Sequence, residues 1–272
     1  MLADALIESY FARVGYTGER AATLQTLRAL HALHPAAIAF ENIDVLMGRT
    51  ISLEPRAIAE KLAVDRRGGY CYEQNTLFMA VLRALGIPAI SVGARVIANS
   101  PPGTVMPRAH MLLLARLAEQ HYVADVGFGR LTLDAPLRLE PDTEQPTPRG
   151  IYRLMPSGDE MQLQTMLGGE WTALYQFSRQ EQLPVDWEVV HWHTSTHPSS
   201  IFTRSLMVSR QEGTRRYALL DSRLRTYDRG GLVEQRQIET PEELREVLEE
   251  VFRIALPAGC DQVLARVARG GA

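Results

Sequence analysis

The spacing of apolar residues changes once along the chain, near Pro88, and this change limits the possible folds. Before it, apolar residues recur with helical spacing, which predicts helices over residues 2–14, 21–33 and 55–64 and from Cys71 to about Gly86. After it, short apolar runs separated by polar turns predict consecutive strands, at residues 90–97, 110–117, 121–126, 151–155, 161–166 and 171–177. Helices followed by many strands indicate an α+β protein with a barrel or a sandwich.

The last part of the chain mixes both patterns. Short strands are expected at residues 206–209, 217–220, 224–227 and 232–238. A helix is then expected from Thr240, because the run Thr240-Pro241-Glu242-Glu243 offers an N-cap, a proline at the first helical position and a capping box. This part is predicted to be an α/β unit.

Composition excludes several classes of function. The 272 residues carry a formal net charge of −3, which gives no reason to expect nucleic acid or an acidic membrane as a partner. No apolar run approaches the roughly 18 residues of a membrane span, and no basic segment precedes one at the N-terminus, so we expect a cytoplasmic protein. The two cysteines and the histidines lack metal-ligand spacing, so no metal site and no disulfide framework is expected.

Cys71 stands where the turn at Gly68 and Gly69 gives way to a helix. Free backbone N–H groups and the helix dipole favour the thiolate at such a position, which suits a nucleophile. A free cysteine is more often a small buried hydrophobic residue, so the interpretation depends on a base and a carboxylate that can reach it. Cys260 has neither nearby in sequence and is expected to be inert.

His110 and Asp125 can supply these groups. His110 begins an apolar strand that should pair with residues 121–126 across a polar turn near residue 118. In a direct register their Cβ atoms lie about 5 Å apart, and in a diagonal register about 7 Å apart on the same face. A slip of one residue would separate them. Asp125 is also the only charge in an apolar segment, although capping of a turn at Gly127 explains it about as well.

The other histidines are less suitable as bases. His31 and His34 are expected to cap a helix or to face solvent, and His121 opens a strand. The remaining three, His191, His193 and His197, are expected to lie together in a loop.

Several segments, in order along most of the chain, resemble the arylamine N-acetyltransferases. They are residues 40–44 (FENID), 67–75 (RGGYCYEQN), the strand that begins at His110, 125–129 (DVGFG) and 195–202 (STHPSSIF). The resemblance implies that Cys71 is the nucleophile, His110 its base and Asp125 the residue that orients the base. Such a Cys/His/Asp core is similar to that of cysteine proteases and transglutaminases.

The resemblance also implies an activity. Acetyl-coenzyme A, a co-substrate rather than a tightly bound cofactor, would acetylate Cys71, and an arylamine, arylhydrazine or N-hydroxyarylamine would then take the acetyl group by a ping-pong mechanism. O-acetylation is implied for the last of these acceptors. The implied pocket walls are Phe40, Tyr70, Phe128, Gly129 and Phe202.

The same similarity completes the expected architecture. We expect a helical bundle over residues 1–88 that carries the nucleophile, a β-barrel over 89–192 that carries His110 and Asp125, and an α/β lid over 193–272. Glu41 and Arg67 are implied to form a structural ion pair beside the nucleophile.

Alternatives stay open. A Cys/His/Asp amidase, hydrolase or transglutaminase-like enzyme would use the same three residues, and an amide synthase of the same family would take a larger acyl group. A binding module would require the three residues to coincide by accident. His191 and His193 stand where members of the family carry Asn and Tyr, so their effect on the cleft, and hence acceptor preference, is open.

Overall fold

The computed structural model describes residues 2–101, 103–229 and 231–270, and these combine helices with sheets. The helices are α1 Asp4–Val14, α2 Leu24–Ala37, α3 Ile43–Leu46, α4 Pro55–Ala59, α5 Cys71–Ala84, α6 Pro184–Thr196, α7 Pro241–Glu246 and α8 Asp261–Ala268. Helices α4 and α7 each continue as one π-helical stretch, Glu60–Val64 and Val247–Val251. Within the described residues no helix is long and apolar enough to cross a membrane.

The larger sheet has eight antiparallel strands and forms a nearly closed barrel. Its strands are β1 Ala89–Val96, β2 His110–Leu117, β3 Gln120–Ala124, β4 Leu137–Arg138, β5 Gln145–Thr147, β6 Gly150–Ser157, β7 Glu160–Leu167 and β8 Glu170–Glu181. They follow the order β4-β3-β2-β1-β8-β7-β6-β5, and a bridge between Pro141, just beyond β4, and Leu154 of β6 brings the two ends of the sheet together. The expected α+β class with a barrel is thus confirmed.

Strand β2 is buried on both faces, which explains its continuous apolar run. Leu112 and Leu114 point into the barrel, where they pack with residues of β1 and β8. Met111 and Leu113 point the other way, into the core formed by the helical part. Helix α5 packs on this second face, so β2 lies between the barrel interior and the helix that begins at Cys71.

A second sheet follows α6 and has four antiparallel strands in the order β12-β11-β10-β9. They are β9 Met207–Glu212, β10 Arg215–Leu220, β11 Arg223–Asp228 and β12 Gly231–Gln237. Its apolar face shares a core with α7, α8 and Ile43. Phe40 forms bridges to both Gly69 and Ser209, so this sheet is tied to the turn that precedes Cys71.

Helix α6 was not expected from the sequence, and the prediction of a loop around His191 and His193 is wrong. The helix begins at Pro184, with the N–H of Leu183 donating to Asp186 Oδ2 (2.8 Å). Its last turns contain Ser and Thr, which usually compete with helical hydrogen bonds. Here the hydroxyls of Thr194, Ser195 and Thr196 donate to carbonyls one turn earlier, so they no longer compete.

Candidate active site

Cys71 is the first residue of α5 and is buried. Backbone packs directly against it: a Cβ on Gly127 would lie 2.8 Å from the Cα of Cys71 and 2.9 Å from Nδ2 of Asn75. Gly127 has no positive φ, so this close approach, rather than backbone conformation, requires a glycine. The loop after β3 can therefore reach the start of α5.

His110 and Asp125 are joined by a hydrogen bond, with 2.7 Å between Nε2 of His110 and Oδ2 of Asp125. The register of β2 and β3 pairs Leu113 with Ala124, so the two residues are diagonal neighbours on one face. The other oxygen of Asp125 accepts from Nδ2 of Asn75 (3.1 Å) and from the N–H of Gly127 (2.9 Å). Both side chains are buried.

Charges and hydrogen bonds shift both pKa values. Burial alone would lower the pKa of His110, but the Asp125 carboxylate and hydrogen bonds to Asp125 and Cys71 outweigh it and raise the pKa to about 10. Burial likewise opposes ionisation of Asp125, but the His110 charge and three hydrogen bonds hold its pKa below the ordinary value. At neutral pH the pair is therefore imidazolium and carboxylate, with Cys71 beside the imidazolium.

Tyr175, on β8, completes the surroundings of His110 and was missed from the sequence. Its ring centroid lies 5.1 Å from that of His110 and 4.8 Å from that of Phe128. Burial, and then the charge of Asp125, raise the pKa of Tyr175. Within the described residues its hydroxyl has no hydrogen bond of normal geometry. A tyrosine 50 positions from Asp125 gives no sequence signal for this proximity.

The expectation that His31 and His34 cap a helix or face solvent is wrong, because both are fully buried on α2. His31 Nε2 accepts from the N–H of Asp125 (3.1 Å). His34 accepts from the Tyr10 hydroxyl at Nδ1 (3.0 Å) and donates from Nε2 to Gln74 Oε1 (2.6 Å). Their spacing from Leu27 and Leu30 on the apolar face of α2 was a usable signal for burial.

Aromatic residues named for the pocket walls lie around the same helix start. The Phe202 ring is 5.6 Å from Tyr70 and 6.3 Å from Phe40, between ring centroids. Gly129 has φ +74°, and its position faces the Phe40 ring. Phe128 packs edge-on against His110, at 4.9 Å. Tyr70 is fully buried, whereas the three phenylalanines are half-buried.

Of His191 and His193, both on α6, His191 contacts this cluster. Its Nε2 donates to the carbonyl of Ile51 (3.1 Å), so its Nδ1 accepts from the Tyr70 hydroxyl (2.5 Å). Burial lowers the pKa of His191, in keeping with this neutral ring. His193 is exposed and stacks on His197.

A buried charge network supports the turn before Cys71. Arg67 Nη2 lies 3.3 Å from Glu41 Oε1 and 3.0 Å from Asp44 Oδ1. Lys61 Nζ lies 2.8 Å from Asp44 Oδ2 and 2.7 Å from Glu73 Oε1. The other carboxylate oxygen of Glu73 accepts a hydrogen bond from the N–H of Tyr70, the residue before Cys71. These partners hold the backbone at the helix start in place.

Two other sequence expectations concern groups away from this cluster. Cys260 is buried in the core shared by α7 and α8. Among the described residues no three His, Cys, Asp or Glu side chains are grouped so that they could hold a metal ion.

Comparison with known proteins places the chain in a family. Residues 23–260 match the family model described as N-acetyltransferase. The chain is 40% identical to the arylamine N-acetyltransferase of Escherichia coli K12, over 92% of this chain and 89% of that protein. It is 37% identical to the arylamine N-acetyltransferase / N-hydroxyarylamine O-acetyltransferase of Salmonella typhimurium, over 93% and 90% of the two chains.

Solved structures agree with the sequence comparison. The Mycobacterium marinum arylamine N-acetyltransferase superposes with a TM-score of 0.92 at 38% identity, over 96% of this chain and 99% of that one. A structure of the same enzyme in complex with CoA gives the same TM-score at 37% identity and the same coverage. The resemblance found in the sequence is confirmed, and the chain belongs to the arylamine N-acetyltransferase family.

Proposed function

We propose that the protein transfers the acetyl group of acetyl-coenzyme A to the nitrogen of arylamines, arylhydrazines or N-hydroxyarylamines, and to the oxygen of the last, through an acetyl-Cys71 intermediate. Family membership supports the reaction. The observation that carries the mechanism is the 2.7 Å contact between His110 Nε2 and Asp125 Oδ2 beside the first residue of α5. Because this contact uses Nε2, the other ring nitrogen of His110, Nδ1, can interact with the thiol of Cys71.

In the first half-reaction the Cys71 thiolate attacks the carbonyl carbon of the thioester, and the bond between that carbon and the coenzyme A sulfur breaks. The departing sulfur takes the proton of the His110 imidazolium. One thioester replaces another, so the two sides are close in free energy. N–H groups at the start of α5 can stabilise the negative charge that develops on the carbonyl oxygen.

In the second half-reaction the acceptor nitrogen attacks acetyl-Cys71 and gives its proton to His110, which is now neutral. Cys71 leaves as a thiolate, and the imidazolium and thiolate pair is restored. Asp125 stabilises the protonated ring and fixes its orientation throughout both steps. One residue, His110, therefore serves as acid in one step and base in the other.

The aromatic ring of the acceptor would lie near Cys71 and His110, where neighbouring side chains offer it apolar contact. The residues proposed to contact it are Phe40, Tyr70, Phe128, Gly129 and Phe202. The paired Glu41 and Arg67 would hold the turn before the nucleophile.

We assign the parts of the chain as expected from the sequence: a helical bundle at 1–88, the barrel at 89–192 and an α/β lid at 193–272. The boundary near residue 192 falls inside α6, so this helix would join the barrel to the lid. The proposed location is the cytoplasm, where acetyl-coenzyme A is available.

The test is incubation with acetyl-coenzyme A in the absence of an amine, followed by intact-mass measurement. We expect a gain of one acetyl group that peptide mapping places on Cys71, with Cys260→Ala as the matched control that retains it. Double-reciprocal plots at several amine concentrations should be parallel. A label on Cys260, or intersecting lines, would overturn the mechanism. Hydrolysis of acetyl-coenzyme A as fast as transfer to an amine would instead indicate a hydrolase.

A further inference from the structure

A cavity of about 530 Å³ opens at the end of the barrel that lies opposite His110. Its lining combines Ile90, Arg116, His121 and Arg179, near the ends of four strands, with Arg83 of α5. His110 and Arg116 lie on the same face of β2, six residues apart, which corresponds to about 20 Å along a strand. The cavity is therefore separate from the site around Cys71.

The rim of this cavity is positively charged. Arg83, Arg116 and Arg179 all line it, and within the described residues none of the three forms a salt bridge. Elsewhere on the barrel, by contrast, Arg108 pairs with Glu160. No acidic residue is found among the described residues that line the cavity. Among the described residues, therefore, no carboxylate forms a salt bridge with any of these three guanidinium groups.

One of these arginines is held in place. Nε and Nη2 of Arg83 donate to the carbonyl of Ala89, at 2.9 and 2.7 Å. This leaves the remaining Nη1 hydrogens for another acceptor. All three arginines are exposed, and Arg116 and Arg179 lie on β2 and β8, the two strands that flank β1. A guanidinium held by two hydrogen bonds, with two more guanidinium groups lining the same cavity, suits recognition of an anion.

The floor of the cavity is apolar. Ile90, Leu114 and Leu139 lie there, and all three pack on the barrel core beneath. A volume of about 530 Å³ falls within the range of roughly 300–1,000 Å³ that small-molecule sites occupy, and barrel mouths are a frequent place for them. The cavity therefore combines room for an apolar body with charge for an anionic head group.

We propose that this cavity binds an amphipathic organic anion, a carboxylate carried on an aromatic or aliphatic body. The carboxylate contacts the guanidinium groups of Arg116 and Arg179, and the apolar body lies over Ile90 and Leu114. This site is independent of acetyl transfer at Cys71.

The experiment is calorimetric titration of the protein with 2-naphthoate and, separately, with 2-naphthamide, which has a similar shape but no charge. Three proteins are compared: the parent, the double variant Arg116→Gln/Arg179→Gln, and Arg215→Gln. Arg215 is the matched control, because it is an exposed arginine on β10, in the other sheet. Since the two replaced arginines are exposed, all three proteins should keep the same circular dichroism spectrum and rate of acetyl transfer.

We expect 2-naphthoate to bind the parent and Arg215→Gln equally, with one site per chain, and the double variant at least tenfold more weakly. On the parent, 2-naphthamide should bind at least tenfold more weakly than 2-naphthoate. Prior carbamidomethylation of Cys71 should leave the binding of 2-naphthoate unchanged. The proposal is overturned by equal binding to all three proteins, by equal affinity for the acid and the amide, by loss of binding on alkylation of Cys71, or by no binding at millimolar concentration.

Discussion

The imidazole of His31 accepts a hydrogen bond from the backbone N–H of Asp125, over 3.1 Å between Nε2 and N. A ring that accepts at Nε2 is neutral and carries its proton on Nδ1. Burial lowers the pKa of His31 to about 3, although the nearby Asp125 charge opposes the shift, so the ring stays neutral at physiological pH. His31 is therefore a fixed acceptor that positions Asp125 and not a second base.

Replacement of His31 by Leu should destabilise the protein and slow acetyl transfer. The substitution leaves the buried backbone N–H of Asp125 without its partner, which costs about 1–3 kcal/mol in the free energy of unfolding. Urea unfolding and steady-state kinetics measure the two effects. His193→Leu, on the exposed face of α6, is the control and should change neither. Equal stability of both variants would mean that the hydrogen bond to Asp125 contributes nothing.

Asp125→Asn keeps the size of the side chain and removes the charge. Without that charge, burial dominates and the pKa of His110 falls below its usual value, so the ring is neutral at pH 7. Acetyl transfer should fall by roughly 10³–10⁴-fold, and alkylation of Cys71 by iodoacetamide at pH 7 should also slow, because the thiolate loses its cation.

The control for this variant is Asp134→Asn. Asp134 is also buried, and its carboxylate accepts a hydrogen bond from the N–H of Arg149. It should alter stability but not the pH dependence of alkylation at Cys71. If Asp125→Asn alkylates and transfers acetyl like the parent, a different group assists His110.

The free energy of unfolding should depend on pH through the buried pair His110 and Asp125. The folded pKa of His110 is about 10, above the ordinary value near 6.5, so folding favours the protonated ring. Its stabilising contribution is complete below about pH 6.5 and is lost as pH rises toward 10. We expect the difference in unfolding free energy between the parent and Asp125→Asn to shrink over this interval in urea titrations. A constant difference would show that His110 is not protonated in the folded state.

Local sequence patterns predicted much of this arrangement. Strand β2 and the same-face placement of His110 and Asp125 follow from strand alternation and from a short turn, both of which depend on neighbours in sequence. The contacts of Asp125 with His31 and Tyr175 join residues on three different elements. Such contacts depend on tertiary packing, and nothing near either residue in sequence indicates them.

Gly127 should not tolerate a side chain. In Gly127→Ala the new Cβ would meet the Cα of Cys71 at 2.8 Å, and this contact is with backbone that cannot rotate away. We expect a loss of about 1–3 kcal/mol in the free energy of unfolding and a larger relative loss of activity, since Cys71, the proposed nucleophile, is displaced. Gly93→Ala on β1 is the matched control, because its Cβ would make only ordinary contacts of 3.6 Å or more with side chains. Unfolding curves that coincide for the two variants would contradict the predicted clash.

The variant Tyr175→Phe tests the contribution of the Tyr175 hydroxyl separately from that of its ring. The ring packs against His110 and Phe128, and phenylalanine preserves this packing, so the protein should stay folded. The hydroxyl lies close enough to Asp125 for the carboxylate to raise the pKa of Tyr175. The hydroxyl is neutral at physiological pH and has no hydrogen bond of normal geometry within the described residues, so its loss should leave the pKa of His110 unchanged.

The measurement for Tyr175→Phe is the pH profile of iodoacetamide alkylation at Cys71, together with kcat and KM for an arylamine. We expect the profile, kcat and KM of Tyr175→Phe to match those of the parent, because phenylalanine keeps the ring and removes neither a charge nor a hydrogen bond of normal geometry. Tyr152→Phe is the control, since its hydroxyl accepts from Arg216 (2.9 Å) elsewhere in the barrel. A basic limb that shifts in Tyr175→Phe but not in Tyr152→Phe would instead show that the hydroxyl acts on the His110 and Asp125 pair.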